Sequence, residues 1–131
     1  MKLQMIKSSV IDLQLSKSID IDGSETNFSL NLGVGFPDDE NDLNHFAVTF
    51  FSEFQIKEGY IVKIHYQSIF ETDGLINDDF KKGNFPKVNA PAIAFPFFRA
   101  FVATFLVNAG YEPIILPSVN FVELNKRNQE N

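Results

Sequence analysis

FPFFRAFVATF, residues 95–105, puts five phenylalanines into eleven positions, with Arg99 among them. On a helical wheel at about 100° per residue, Phe97, Phe98, Phe101 and Phe105 fall on one side. Pro96, Ala100, Ala103 and Val107 fall on the other, with Arg99 and Leu106 beside them. The phenylalanine side has the bulk to fill the space above a sheet. The small side is apolar, gains nothing by facing water, and suits the close approach of another helix. A helix that is apolar all round is a buried helix. In a chain of 131 residues with one sheet, little else is left to cover the second side. The expectation is therefore an oligomer assembled through residues 93–109, with Arg99, Ala100, Ala103, Leu106 and Val107 at the interface. Arg99 is expected there to pair with a carboxylate or to donate to backbone carbonyls.

The apolar stretch around this segment, residues 91–109, is close to the length that crosses a bilayer. A membrane span is disfavoured: Arg99 near its middle costs about 2.5–3.5 kcal/mol on insertion scales, Pro96 interrupts the hydrogen-bond ladder, and no basic cluster flanks either end. The chain has 11 basic and 17 acidic residues, a formal charge of -6. That balance provides no electrostatic footprint for nucleic acid or an anionic membrane surface. With no cysteine, disulfides and thiolate chemistry are excluded. Gln4, Lys7 and Asp12 interrupt the N-terminal MKLQMIKSSVIDLQL, so no secretory signal is expected and the cytoplasm is the default compartment. The length fits one domain, residues 1–131.

Before the helix the chain reads as strands. Phe28, Leu30, Leu32, Val34 and Phe36 alternate with Ser29, Asn31, Gly33 and Gly35, the period of two that a strand with one buried face requires. Phe46, Val48, Phe50, Phe54 and Ile56 repeat the pattern. Lys57-Glu58-Gly59 then turns the chain, and Tyr60, Val62, Ile64 and Tyr66 resume it as the second arm of a hairpin. An earlier strand carries Leu3, Met5, Ile11, Leu13 and Leu15 on one face, although Lys7 and Ser9 fall on the same side. Gly, Asp and Asn mark loops at residues 20–27 and 37–44. Residues 71–89 read as a long connection. The helix after it is expected to be capped near Asn89, to kink at or start from Pro96, and to stop at Gly110. Ser118 is expected to cap a short final helix through Arg127, whose charge suits a helix C-terminus. The predicted class is α+β: a four-stranded antiparallel sheet, a long apolar helix and a short C-terminal helix.

The segment VNAPAIAFPFFRAFVATFLVNAGYEPIILPSVNFVEL, residues 88–124, resembles the C-terminal part of the SecB protein-export chaperones. Their pattern is a helix with a Phe-Pro-aromatic-x-Arg core, then Gly, a Pro-containing loop and a Pro-x-Val-Asn-Phe close. Here these are Phe95-Pro96-Phe97-Phe98-Arg99, Gly110, Pro113 and Pro117-Ser118-Val119-Asn120-Phe121. Ser68-Ile69-Phe70 is a weaker echo. The resemblance implies α+β subunits assembled as a dimer of dimers, a homotetramer with the long helices between two sheets. It also implies an ATP-independent holdase that keeps unfolded or preprotein clients from collapsing.

Such clients bind by burying apolar side chains in grooves, supplemented by backbone hydrogen bonds. The client-binding candidates are Phe28 and Leu30 in the second strand, Tyr111, Pro113, Ile114, Ile115 and Leu116 in the loop, and Phe121 and Leu124 in the last helix. Export members also dock the zinc-bearing tail of the motor SecA on an acidic sheet face. Asp12 matches one of those acids and Ile61 an apolar contact, whereas Ser16 and Lys63 stand in place of two others. The chain is also shorter than the export proteins, so a different duty, such as guarding an antitoxin, is the alternative within the family.

Other chemistry is sparse. His45 and His65 lack a second ligand at metal spacing and read as surface or cross-strand residues. No phosphate loop, nucleophile elbow or dinucleotide motif occurs, so no cofactor is expected. The run Asp38-Asp39-Glu40-Asn41-Asp42 lacks the spacing of a calcium loop and reads as a solvated turn. Two other classes fit the size. A hot-dog-type thioesterase needs a polar catalytic group on its central helix, and residues 91–109 contain no Asp, Glu, Ser or His. A carrier for a small apolar ligand needs one closed pocket per subunit.

Overall fold

The computed structural model describes residues 2–18, 28–38 and 43–130. The predicted loop at 20–27 lies outside them, as does most of the acidic run, residues 39–42. Four strands, β1 (Leu3–Lys17), β2 (Ser29–Gly35), β3 (His45–Ile56) and β4 (Tyr60–Thr72), form one antiparallel sheet in the order β1-β4-β3-β2. The first two strands are thus its opposite edges. The hairpin β3–β4 turns at Lys57-Glu58-Gly59, where Gly59 takes φ 90°, a left-handed value that a side chain disfavours.

β1 resolves the irregular phase of its sequence through two bulges, between Met5 and Lys7 and between Val10 and Asp12. Each extra residue reverses the side-chain parity. Leu3, Met5, Ser8, Val10, Leu13 and Leu15 therefore lie opposite the inward residues of β4, and Lys7 and Ser9 opposite the outward Ile69 and Gln67. Ile11 was expected on the buried face. It is instead the extra residue of the second bulge and is 55% exposed.

Residues 71–89 are not a plain connection. Asn77 accepts a 2.8 Å hydrogen bond from the Phe80 amide and caps a short helix, α1 (Asp78–Lys82). A π-helical turn over Phe85–Asn89 leads directly into α2 (Ala90–Asn108). Pro91 has no N–H to offer the Lys87 carbonyl, and the wider turn ends beside it, with the Ala90 amide bonded back to Phe85. The helix therefore passes through Asn89, whose side chain makes no cap, and Pro96 sits inside α2 rather than at its start. The carbonyl that Pro96 leaves unpaired belongs to Ala92, an exposed residue, which makes the break tolerable. α2 ends at Gly110, φ +97°, with Tyr111 N–H bonded to Leu106 O at 2.8 Å and Gly110 N–H to Val107 O at 3.1 Å. This pair of bonds is a Schellman closure.

α3 (Phe121–Glu130) is capped by Asn120, not Ser118: its side-chain oxygen accepts from the amides of Val122 and Glu123 at 3.1 and 3.2 Å. The core lies between one face of the sheet and α2. Phe98 is fully buried, its ring 5.5 Å from both Phe50 and Tyr66. Phe95 and Phe121 meet at 5.6 Å and both reach Phe50, which ties α2, α3 and β3 together. Burying each of these rings contributes roughly 1.5–3 kcal/mol.

Candidate functional site

A cleft of about 510 Å³ opens between β2 and the C-terminal segment. One wall is Phe28, Ser29, Leu30 and Asn31. The other combines the extended residues Pro117, Ser118, Val119 and Asn120 with one flank of α3, Glu123, Leu124, Arg127 and Asn128. The Asn120 cap fixes the start of α3, and with it the direction in which Leu124 points. Three of the candidate client-binding residues, Phe28, Leu30 and Leu124, thus share one cleft. Leu124 borders the cleft although only 8% exposed, whereas Phe121 does not line it and packs into the Phe50–Phe95 cluster. Leu116 is likewise buried, at 3%. Sequence reading missed Val119 and the polar lining. Val119 and Asn120 stood in the quoted motif without pointing to a cleft, and Asn31 carried no signal beyond its polarity, since the rim depends on how α3 docks.

The loop between α2 and α3 is pinned at its N-terminal end. Tyr111 lies against Tyr60, ring centroids 5.4 Å apart. The Glu112 amide donates to the Glu58 carboxylate at 3.1 Å, and Lys57 pairs with the Glu112 carboxylate. Desolvation, then the hydrogen bond with Tyr60 and the negative charges of Tyr60 and Glu58, raise the Tyr111 phenol above its ordinary value. Pro113 borders a second, shallower cleft with Ala103, Thr104 and Val107 of α2. Ile114 is half-buried, and Ile115 projects into solvent at 88% exposure.

The outer side of α2 corrects the helical wheel. Ala94, Phe95, Phe98, Val102 and Leu106 face the sheet, so Leu106, expected at the subunit interface, is fully buried within the chain. Its spacing of four from Val102 and eight from Phe98 puts all three on one line. Phe97, expected on the sheet side, is 53% exposed. Ile93, Phe97, Ala100, Thr104 and Val107 form the exposed line, with Ala103 and Arg99 half-buried at its flanks. Within the chain the Arg99 guanidinium lies 5.9 Å above the Phe95 ring and has no carboxylate partner among the described residues. The segment Phe85–Asn108 is long and apolar enough to cross a membrane by length and composition, but its inner line is packed on the sheet.

The other face of the sheet carries Asp12, Ser16, Ile61 and Lys63. Ser16 lies opposite Ile61, and Asp12 opposite His65. The Gln14 amide donates to Asp12 at 3.3 Å, and Lys63 lies 3.8 Å from Glu53 on β3. His65 stacks edge-on against its cross-strand neighbour Phe51 at 4.8 Å. At the far end a mostly apolar cleft of about 570 Å³ is bordered by Ile6, Phe36, Ala47 and Ile69. No group of three His, Cys, Asp or Glu residues is placed to hold a metal among the described residues.

A four-stranded sheet backed by one long apolar helix, with open grooves and a short final helix, defines a SecB-like fold. Among solved structures it matches a SecB-like chaperone from Mycobacterium tuberculosis, in complex with a ChAD peptide from the HigA1 antitoxin. The TM-score is 0.67 at 11% identity, covering 89% of this chain and 90% of that one. A protein of unknown function from Streptococcus agalactiae matches with TM-score 0.57 at 8% identity, covering 90% and 98%. In sequence, the protein-export protein SecB of Neorickettsia sennetsu is 25% identical over 132 residues, 92% of this chain and 79% of that protein. Its counterpart in Rhodospirillum centenum is 32% identical over 71 residues, 54% and 42% of the two chains. Residues 10–131 match the family Preprotein translocase subunit SecB.

The chain belongs to the SecB family. It is a member of a family of chaperones, not of enzymes, so the thioesterase alternative is set aside.

Proposed function

We propose that this protein is an ATP-independent holdase, one domain over residues 1–131, that binds non-native polypeptides in the cleft between β2 and α3. The convergence of Phe28, Leu30 and Leu124 on one open cleft carries this reading. Its apolar members reward a client that buries side chains, at about 25 cal/mol per Å², and the polar lining, Asn31, Ser118 and Asn120 among it, offers hydrogen bonds without strict sequence readout. Tyr111, Pro113, Ile114 and Ile115 extend the client surface along the loop, with Ile115 as its most accessible anchor. Leu116 and Phe121 support the cleft from below.

The working form is a homotetramer, a dimer of dimers in the cytoplasm, with Ala100, Ala103 and Val107 of α2 at the interface and Arg99 at its margin. Asp12 and Ile61 are the remnant of a SecA-docking face. A specialised client such as an antitoxin is a second reading, favoured by Ser16 and Lys63 on that face. The test is aggregation of a chemically unfolded client, followed by light scattering without ATP. The protein should suppress it, and Leu30→Ser with Val119→Ser, two half-buried positions of the cleft, should lower the protection severalfold while circular dichroism stays unchanged. Equal protection by a folded double variant would rule out the cleft as the site.

A further inference from the structure

β2 carries two glycines on the outer face of the sheet, Gly33 and Gly35, opposite Thr49 and Ala47 of β3. Their backbone does not require glycine, since both lie in an extended strand and neither has a left-handed φ. Each therefore leaves a gap where a side chain would stand. The chain fills the first gap itself. The Phe51 ring, reaching across from β3, lies over Gly33, where an added Cβ would stand 3.0 Å from its Cε2. Covering an edge-strand glycine with an aromatic ring restores the apolar contact that the missing side chain gives up. The second gap is open: a Cβ at Gly35 would meet nothing within 4 Å. From Gly35 the row of paired residues runs through Ala47 to Ile69, from bare backbone through a methyl to a branched side chain. Ile6, in the first bulge of β1, adds to the high side of this row, and Phe36, Pro37 and His45 border its end. Together they line the cleft of about 570 Å³.

We propose that this cleft binds a small, uncharged, planar aromatic molecule, whose ring lies over Gly35 as the Phe51 ring lies over Gly33. The volume is within the range of about 300–1,000 Å³ that small-molecule sites occupy, and the lining is mostly aliphatic and aromatic. The floor selects planarity. Gly35 and Ala47 present only backbone and one methyl beside the Ile69 side chain, a flat surface that an aromatic ring covers evenly and a puckered ring touches at few points. Charge is not selected. Lys7, opposite Ile69, and Lys81, whose ammonium lies 5.4 Å from the Phe36 ring centroid, are offset by Asp38, next to Pro37, and by Glu71, opposite His45. The site is also distinct from the client cleft, with which it shares no lining residue. It therefore stands or falls independently of the holdase reading.

The test is a nuclear magnetic resonance titration of the full chain, labelled at alanine and isoleucine methyls, with 2-naphthol, which is uncharged at neutral pH. Saturable upfield shifts are expected at Ala47, Ile6 and Ile69, because a ring seated over the floor shields the methyls beneath and beside its face. Gly35→Leu puts a side chain into the open gap without a clash and should weaken binding about tenfold, and Gly35→Ala, which fills less of it, about threefold. An extended strand accepts either residue at least as readily as glycine, so both variants should keep the circular dichroism of the parent. Decahydro-2-naphthol, the same carbon skeleton without planarity, should bind about threefold more weakly or less. Leu30→Ser with Val119→Ser, in the client cleft, should leave the titration unchanged. No saturable shift at the three methyls, unchanged affinity in both folded Gly35 variants, equal binding of the saturated compound, or loss of binding in the client-cleft variant would each overturn the proposal.

Discussion

Phe98 shows how much rests on single side chains. With zero exposure and aromatic neighbours on two strands, it has no room to relax around a truncation. Phe98→Ala should cost about 3–5 kcal/mol of stability, measurable as a lower midpoint in urea unfolding. Asn120 holds two amides at the start of α3. Asn120→Ala should cost about 1 kcal/mol and loosen the C-terminal wall of the cleft more than the sheet, visible as faster hydrogen exchange in α3 alone. Tyr111 has its folded pKa raised by desolvation and by Tyr60 and Glu58. Its contribution is complete below the ordinary tyrosine value and lost as pH rises through the raised one. Alkaline titration followed by ultraviolet absorbance should show a late component for Tyr111 that disappears in Tyr111→Phe.

At the scale of elements, α2 has two faces, and only one is satisfied within the chain. Ile93, Phe97, Ala100, Thr104 and Val107 recur at intervals of four, three, four and three, the repeat of a helix that packs along a partner helix. Ala103→Glu, which places a charge at the edge of this line, should dissociate the assembly in light scattering and leave the far-ultraviolet spectrum of the sheet in place. A stable monomer of the unmodified protein at micromolar concentration would remove the proposed interface. β1 shows the opposite balance. Its two bulges break regular pairing so that Leu3, Met5 and Leu13 can all pack against the core, and they leave Ile6 and Ile11 in water.

For the whole molecule, the proposed SecA-docking face on the outer side of the sheet is where export and a specialised client can be told apart. Lys63 lies beside Glu53, so it adds positive charge and also neutralises a neighbouring acid. Each exposed contact is worth only about 0–1 kcal/mol, but on the proposed docking face Ser16 and Lys63 in place of two acids would lower affinity for a basic tail by roughly tenfold. A SecA tail peptide should therefore bind weakly or not at all in titration calorimetry. Ser16→Glu with Lys63→Glu should recover part of the binding, because Glu53 is then also released toward the ligand. Micromolar or tighter binding by the unmodified protein would return export to first place.

The alternation of residues 28–36, the β3–β4 hairpin and the Gly110 stop are local: period, turn chemistry and a left-handed backbone are written in neighbouring residues, and they determined the strands, the long helix and the α+β class. The Pro-Ser-Val-Asn-Phe motif placed the C-terminal segment within the right family. Which face of α2 is inside was not local. Both faces are apolar, and the ring cluster of Phe50, Tyr66 and Phe121 selected Phe95, Phe98 and Leu106 over Phe97. The bulges of β1 needed β4 as a ruler, and the Asn120 cap needed the docked position of α3. The cleft itself is made by an edge strand and a helix some ninety residues apart, so its polar rim existed only once the tertiary structure had brought them together.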